Sequence, residues 1–215
     1  MHELYWSPRS GSLAPMAVLE ALKEATGTEY QATKVDTAAG DHRTQDYLAL
    51  VHPLGTVPAL KADGGPCLME SAAITLYLAD LVPNQALAPA KNSVQRGAFL
   101  DWTIYGATSL YTIYMRMYHA DQHTPEGVEQ ARIAGLAGTM IRDRWAVVEQ
   151  ALATHDRPWL VRDSVTAADL YLAMLALWYP DEAEFESSWP RMAGLKAAAF
   201  EIPCMARAHA IHLAG

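Results

Sequence analysis

The sequence predicts two units in series: an α/β unit with a mixed sheet over residues 1–82 and an all-helical unit over residues 90–215. Three observations predict it. Through the first eighty residues, short β-like runs alternate with helical patterns. Two of those runs are joined at Asp63-Gly64-Gly65, a hairpin signal. After Val82-Pro83-Asn84 the strand signal vanishes and only helical periodicity remains.

Each element has a local reason. His2 to Trp6 is a short strand, ended by the turn-rich Ser7-Pro8-Arg9-Ser10-Gly11. From Leu13 to Ala25, apolar residues recur at helical spacing (Leu13, Met16, Ala17, Leu19, Leu22), and Thr26-Gly27 stops the helix. Glu29 to Val35 is a second strand, and Asp46 to Val51 a short helix closed by His52-Pro53. Val57 to Ala62 and Pro66 to Met69 form the hairpin strands, and Ser71 to Leu81 is a helix with Ile74, Leu78 and Leu81 on its apolar face. Beyond a connector ending at Pro89, a long aromatic-rich helix is expected over Ser93 to His119. Another opens at Thr124-Pro125-Glu126, with the threonine placed to cap, and reaches about Ala153. Later helices are expected from Thr166 to Trp178, around Arg191 to Phe200, and from Met205 to His212.

Composition narrows the function classes. With 16 Lys+Arg against 24 Asp+Glu, the formal net charge is -8, which argues against nucleic acid or an anionic membrane as the main partner. An anionic ligand would need local arrangements of backbone N–H groups. Cys67 and Cys204 stand far apart, so neither a disulfide scaffold nor zinc-ligand spacing is present. His209 and His212 are expected on the surface of the last helix, not as metal ligands. No secretory leader pattern and no run of about 18 apolar residues occurs, so a cytoplasmic location is the expectation.

Three motifs carry the functional reading. In Gly55-Thr56-Val57-Pro58-Ala59-Leu60 a proline begins an apparent core strand, although it cannot donate to a ladder. Two resolutions are open. A cis Val57-Pro58 bond would turn the Val57 backbone outward toward a ligand; alternatively, Pro58 sits on an edge strand. In Glu70-Ser71-Ala72-Ala73-Ile74, Ser71 is an N-cap candidate, and the helix start is an anion site beside an acidic side chain. Together they could hold the carboxylate and ammonium ends of an amino acid; the plainer role is capping alone. Thr166-Ala167-Ala168-Asp169, flanked by Val165 and Leu170, is a capping box with a hydrophobic staple, a folding signal without chemistry.

The order and separation of these motifs resemble the cytosolic glutathione transferase family, over nearly the whole chain. The resemblance implies a thioredoxin-like first domain (1–82), an all-α second domain (90–215) that offers a surface to a small hydrophobic electrophile, and a homodimer. Tyr5-Trp6-Ser7-Pro8-Arg9-Ser10-Gly11-Ser12-Leu13-Ala14-Pro15 is similar to the bacterial beta-class pattern, with Gly11 at the class cysteine and Ser12 after it. Glutaredoxin-type redox chemistry is therefore not expected, since no other cysteine is near. By the same resemblance, the Val57 backbone pairs with the cysteinyl part of glutathione, next to Pro58, and Glu70 with Ser71 holds the γ-glutamyl end. Asp101-Trp102 and Tyr105 echo a beta-class helix, and Tyr111 stands where that class often has an active-site histidine. Thr37-Ala38-Ala39 replaces a usual basic residue, leaving His42 or Arg43 for the glycine carboxylate.

Such an enzyme must lower a thiol pKa of ~8.5 by about one or two units, each corresponding to roughly 1.4 kcal/mol. A hydroxyl donor and a helix N-terminus suffice. Ser12 sits where both coincide, and Ser10 and Tyr5 are alternatives; Ser12 could equally only cap, and Tyr5 only pack. Tyr105, Tyr111, Tyr114, Met115, Met117 and Tyr118 suit an electrophile pocket or, alternatively, the core or a dimer interface. Arg142, Arg144 and Trp145 read as interface or surface groups. A glutathione transferase is the leading expectation. The alternatives are a non-catalytic glutathione-binding protein of the same fold, or a glutathione-dependent lyase or isomerase of aromatic metabolites.

Overall fold

Four short strands and ten α-helices make up the computed structural model, which describes residues 1–125 and 127–215. Strands β1 (His2–Trp6), β2 (Tyr30–Lys34), β3 (Ala59–Lys61) and β4 (Cys67–Leu68) form one sheet in the order β2-β1-β3-β4. β1 is parallel to β2 and antiparallel to β3, and β3 is antiparallel to β4, the mixed sheet expected from the hairpin. Alternation along β1 sends Leu4 and Trp6 into the core and leaves Glu3 and Tyr5 on the opposite face. The ladder reaches only to Ala59, paired with Tyr5, so Val57 and Pro58 precede the strand instead of opening it.

Helix α1 (Leu13–Thr26) ends at Gly27, whose left-handed φ of 70° lets its N–H return to the Lys23 carbonyl. Its first two turns are buried on every side, because the sheet, α3 (Ser71–Leu81), α7 (Ala167–Ala176) and α10 (Pro203–Ala214) surround them. Helix α2 (Gln45–Leu50) packs Tyr47 edge-on against Tyr5, on the other face of the sheet.

The helix expected over 93–119 is divided. α4 (Gln95–Tyr105) passes into a π-helical segment, Gly106–Tyr111, and then α5 (Thr112–Tyr118). Gly106 lies against a tyrosine ring: a Cβ there would stand 2.9 Å from Cδ1 of Tyr171. The π segment keeps helical dihedrals, so sequence periodicity does not reveal it. α6 (Gly127–Leu152) follows; of its expected start, Glu126 lies outside the described residues.

α7 is buried along its whole length, at the centre of the helical unit. Its capping box forms as expected: Oδ2 of Asp169 accepts from Thr166 N–H (2.7 Å) and O–H (2.7 Å). α8 (Glu182–Ser188) was not expected, although Asp181 caps it by accepting from Glu184 N–H. α9 (Pro190–Glu201) and α10 complete the chain. Phe185 of α8 packs in an aromatic cluster with Trp145 and Trp189. Trp145, read from sequence as an interface or surface group, is fully buried and donates its indole N–H to the Tyr114 hydroxyl at 2.9 Å. His212 likewise belongs inside. It is 4% exposed and stacks on Trp6, because α10 lies along α1 instead of over solvent. No helix among the described residues is long and apolar enough to cross a membrane.

Candidate functional site

Two helix starts and one loop meet along a rim where the sheet unit faces the helical unit. The first is the head of α1. Ser10 Oγ donates to the Ser7 carbonyl at 2.7 Å, and Ser12 Oγ lies 2.6 Å from Ser10 Oγ and 3.3 Å from the same carbonyl. Since the Ser10 proton goes to Ser7, the Ser12 proton goes to Ser10, to Ser7 or to His212 Nε2. Both hydroxyls have acceptors inside the protein. Ser12 is 0% exposed, with His212 Nε2 3.5 Å behind it, and its side chain makes no cap bond. The first N–H groups of α1 are also taken: Ser12 N–H by Ser10 Oγ, Leu13 N–H by the Ser10 carbonyl, and Ala14 N–H by the Met174 sulfur. The coincidence of free hydroxyl and free helix terminus expected at Ser12 is therefore absent from this geometry.

Tyr5 stands elsewhere. It shares the sheet face of Glu3 and Tyr47, opposite the face that α1 covers. Burial and then the Glu3 carboxylate push its phenol up to about 12.

What occupies the head of α1 is a phenol from the helical unit. The Tyr111 hydroxyl lies against the Gly11 backbone, whose N–H opposes the rise that burial gives its pKa. A Cβ built on Gly11 would lie only 2.6 Å from that oxygen, so the missing side chain is what admits the tyrosine. The Tyr111 ring is held edge-on by Trp178 at 4.9 Å. The other tyrosines of this stretch are spoken for. Tyr114 is in the core, Tyr105 donates to the Arg144 carbonyl, and Tyr118 donates to the Trp178 carbonyl.

The second helix start is that of α3. Glu70 is its N-cap and is exposed, while Ser71 is the first helical residue, one position later than the cap expected from sequence. Ser71 Oγ lies 2.7 Å from the Tyr171 hydroxyl, so its polar partner is a second phenol of the helical unit. Burial keeps Tyr171 protonated, and the Glu70 charge acts on both Tyr111 and Tyr171 in the same direction.

The loop is 52–57, and His52 organises it, a residue that the sequence reading used only as a helix stop. Its buried ring accepts from Leu54 N–H at Nδ1 (3.2 Å), which makes Nε2 the protonated nitrogen that faces Thr56 Oγ1 at 2.8 Å. Burial lowers its pKa against the pull of Glu70, so the neutral ring is retained. Tyr47 O–H donates to the Thr56 carbonyl (2.8 Å), fixing the approach to Val57-Pro58, which is cis. Gly55 takes a left-handed φ of 61°, and a Cβ there would lie 2.5 Å from the His42 carbonyl. His42 is half-buried beside this loop, and Arg43 Nη1 donates to the Leu54 carbonyl (3.1 Å). Val57, Glu70, Ser71 and His42 thus lie on or beside one framework; Ser10 and Ser12 border it with their protons turned inward. Among the described residues no His, Cys, Asp or Glu group could hold a metal ion.

Comparison with known proteins bears on the family and the fold. Residues 4–80 match the glutathione S-transferase N-terminal domain. The glutathione S-transferase GstA of Escherichia coli O157:H7 is 34% identical over 177 residues, covering 82% of this chain and 81% of the relative. A maleylacetoacetate isomerase of Pseudomonas aeruginosa is 29% identical over 216 residues, covering 96% and 95%. The crystal structure of a sphingomonad glutathione S-transferase complexed with glutathione superposes with a TM-score of 0.79 at 26% identity, covering 99% of this chain and all of the other. With the sheet topology, the helical second half and a relative of this identity and coverage together, the chain belongs to the glutathione S-transferase family.

Proposed function

We propose that this chain is a glutathione transferase: it binds glutathione as co-substrate along the rim and directs the thiolate at a small hydrophobic electrophile. The observation that carries this reading is the β3–β4 hairpin, whose antiparallel pairing brings the Val57 loop that leads into it and the Glu70–Ser71 helix start that follows it to the same edge, with the loop held by His52. Glu70 would take the ammonium of the γ-glutamyl end. The free N–H groups at the start of α3 would take its carboxylate, helped by the Ser71 hydroxyl, whose orientation Tyr171 sets. The Val57 backbone, outside the ladder, would pair with the cysteinyl amide, with Pro58 fixing the turn into β3. His42 would reach the glycine carboxylate.

The cleft side of the helical unit, where Tyr111, Met115 and Trp178 stand, suits an apolar electrophile. A homodimer belongs to the same proposal. Tyr77 and Leu81 on α3, Leu100 and Ile104 on α4, and Leu136 and Met140 on α6 are exposed pairs at i,i+4, each an apolar stripe on one helix. A cytoplasmic location is proposed with it.

The test is calorimetric titration with glutathione, followed by turnover of an activated aryl halide. Binding with turnover supports the transferase. Binding without turnover moves the chain to a glutathione-binding protein of the same fold, and no binding removes the proposal. The isomerase relative, aligned over almost the full chain, makes cis–trans isomerisation of an unsaturated diacid the second activity to assay.

A further inference from the structure

We infer that Tyr111, delivered by the helical unit into the space left by Gly11, is the hydroxyl that hydrogen-bonds the glutathione sulfur. The inference rests on the proposed glutathione transferase activity and names its catalytic donor.

At the head of α1 the chain carries no side chain, and the place a Cβ would fill is closed by the Tyr111 hydroxyl, 2.6 Å away. The phenol therefore stands where a residue of the first loop would otherwise project. It is also held there. Trp178 meets the ring edge-on, and the π segment ending at Tyr111 sets the register that turns this residue toward α1.

Proton accounting then separates the candidates. The Tyr111 O–H donates to no acceptor among the described residues, and its oxygen lies against Gly11, so its proton is open to a ligand. Ser10 and Ser12 have acceptors inside the protein, at Ser7, at each other and at His212. The first N–H groups of α1 are used by Ser10 and Met174. Tyr5 faces the other side of the sheet. Position agrees. The Glu70 charge reaches Tyr111 as it reaches Tyr171, whose hydroxyl meets Ser71 Oγ at 2.7 Å at the helix start that would hold the γ-glutamyl group, one residue before the sulfur in the tripeptide. Burial, then Glu70, pushes this phenol up to about 12, which keeps it a donor across the working pH range.

The step is balanced without any redox partner. The thiol proton passes to water, and the sulfur, stabilised by the Tyr111 O–H, donates its electron pair to carbon. The leaving group departs with the pair from the bond that breaks.

The experiment follows the ultraviolet thiolate absorbance of the glutathione complex against pH, with kcat and KM, for wild type, Tyr111→Phe, Gly11→Ala, Ser10→Ala and Ser12→Ala. Tyr111→Phe keeps the ring on Trp178. It should raise the thiol midpoint by about one to two pH units and lower kcat below neutral pH by about ten- to a hundredfold, recovering as pH rises, with KM for glutathione changed by less than about twofold. Gly11→Ala, whose methyl displaces the phenol, should shift the midpoint the same way and add little in the Tyr111→Phe background. This second variant decides the matter if Tyr111→Phe does not fold. The serine variants should leave the midpoint in place. A wild type that forms thiolate with an unmoved midpoint in Tyr111→Phe or Gly11→Ala overturns the inference and leaves the transferase reading standing. A wild type that binds no glutathione overturns both.

Discussion

Removing the Asp169 carboxylate should cost far more than an ordinary helix cap. A solvent-exposed N-terminal capping residue is worth about 1 kcal/mol. Here the carboxylate is fully buried, and it accepts from Thr166 N–H, Thr166 O–H and, at Oδ1, Leu160 N–H at 2.9 Å. In Asp169→Ala the Thr166 hydroxyl can rotate toward another acceptor, but two buried backbone N–H groups are left without one. Each costs about 1–3 kcal/mol, giving roughly 2–6 kcal/mol. Some of that is offset because a buried charge disappears: burial is the leading influence on this carboxyl and raises its pKa. The net expectation is a loss of about 2–4 kcal/mol, a large share of the roughly 5–15 kcal/mol that a domain possesses. Urea unfolding followed by tryptophan fluorescence and by circular dichroism measures it, with the midpoint falling at constant slope. Asp169→Asn, which keeps one acceptor, should lose about half as much. A loss below about 1 kcal/mol for Asp169→Ala would refute the accounting and reduce the box to a surface cap.

Two further expectations concern the acid limb and the loop. His212 is held near a pKa of about 4 against 6.5 unfolded, by burial first and then by the His209 charge. Above pH 6.5 the ring is neutral in both states. As pH falls from 6.5 toward 4 the unfolded chain takes up a proton that the folded one refuses, so stability drops by up to roughly 3 kcal/mol and then levels. The slope of unfolding free energy against pH should flatten in His212→Gln; an identical slope would locate the acid sensitivity elsewhere. Gly55→Ala should lose about 1–2 kcal/mol from its left-handed backbone alone. It should also weaken glutathione binding, because the loop must retreat from the His42 carbonyl, 2.5 Å from the new methyl. Thermal unfolding and the glutathione KM report the two effects separately, and unchanged values in both would sink the claim.

Much of the fold is legible residue by residue because local chemistry specifies it. β1 and α3 fall within the expected bounds, and Gly27 stops α1 where a left-handed position was needed. The capping box at Thr166 and Asp169 needs only sequence spacing, although the third donor, Leu160 N–H, comes from outside that motif. α8 was missed despite its Asp181 cap, since seven residues with three glutamates and only one bulky apolar side chain leave little periodicity to detect. The π segment was missed for a different reason: its dihedrals are helical, and only the hydrogen-bond ladder distinguishes it.

The candidate site divides along the same line. Gly11 is visible in the sequence as a position without a side chain, and the Val57-Pro58 and Glu70-Ser71 motifs mark the rim, because turn and cap chemistry is written in neighbouring residues. Which hydroxyl has a proton to offer is not written there. Ser12 has the right sequence position, yet its proton is drawn inward by residues 2 and 5 positions away and a histidine 200 positions away lies behind it. Tyr111 is marked in the sequence only by the class position it occupies, and the ring reaches α1 because Trp178, the π segment and the open position at Gly11 are assembled by packing across the chain. The sequence by itself marked most of the strands and helices and the family, because turns, caps and periodicity are written in neighbouring residues. Only the tertiary structure decided the direction of each proton, since a hydroxyl turns toward whichever acceptor the folded chain brings within about 3 Å.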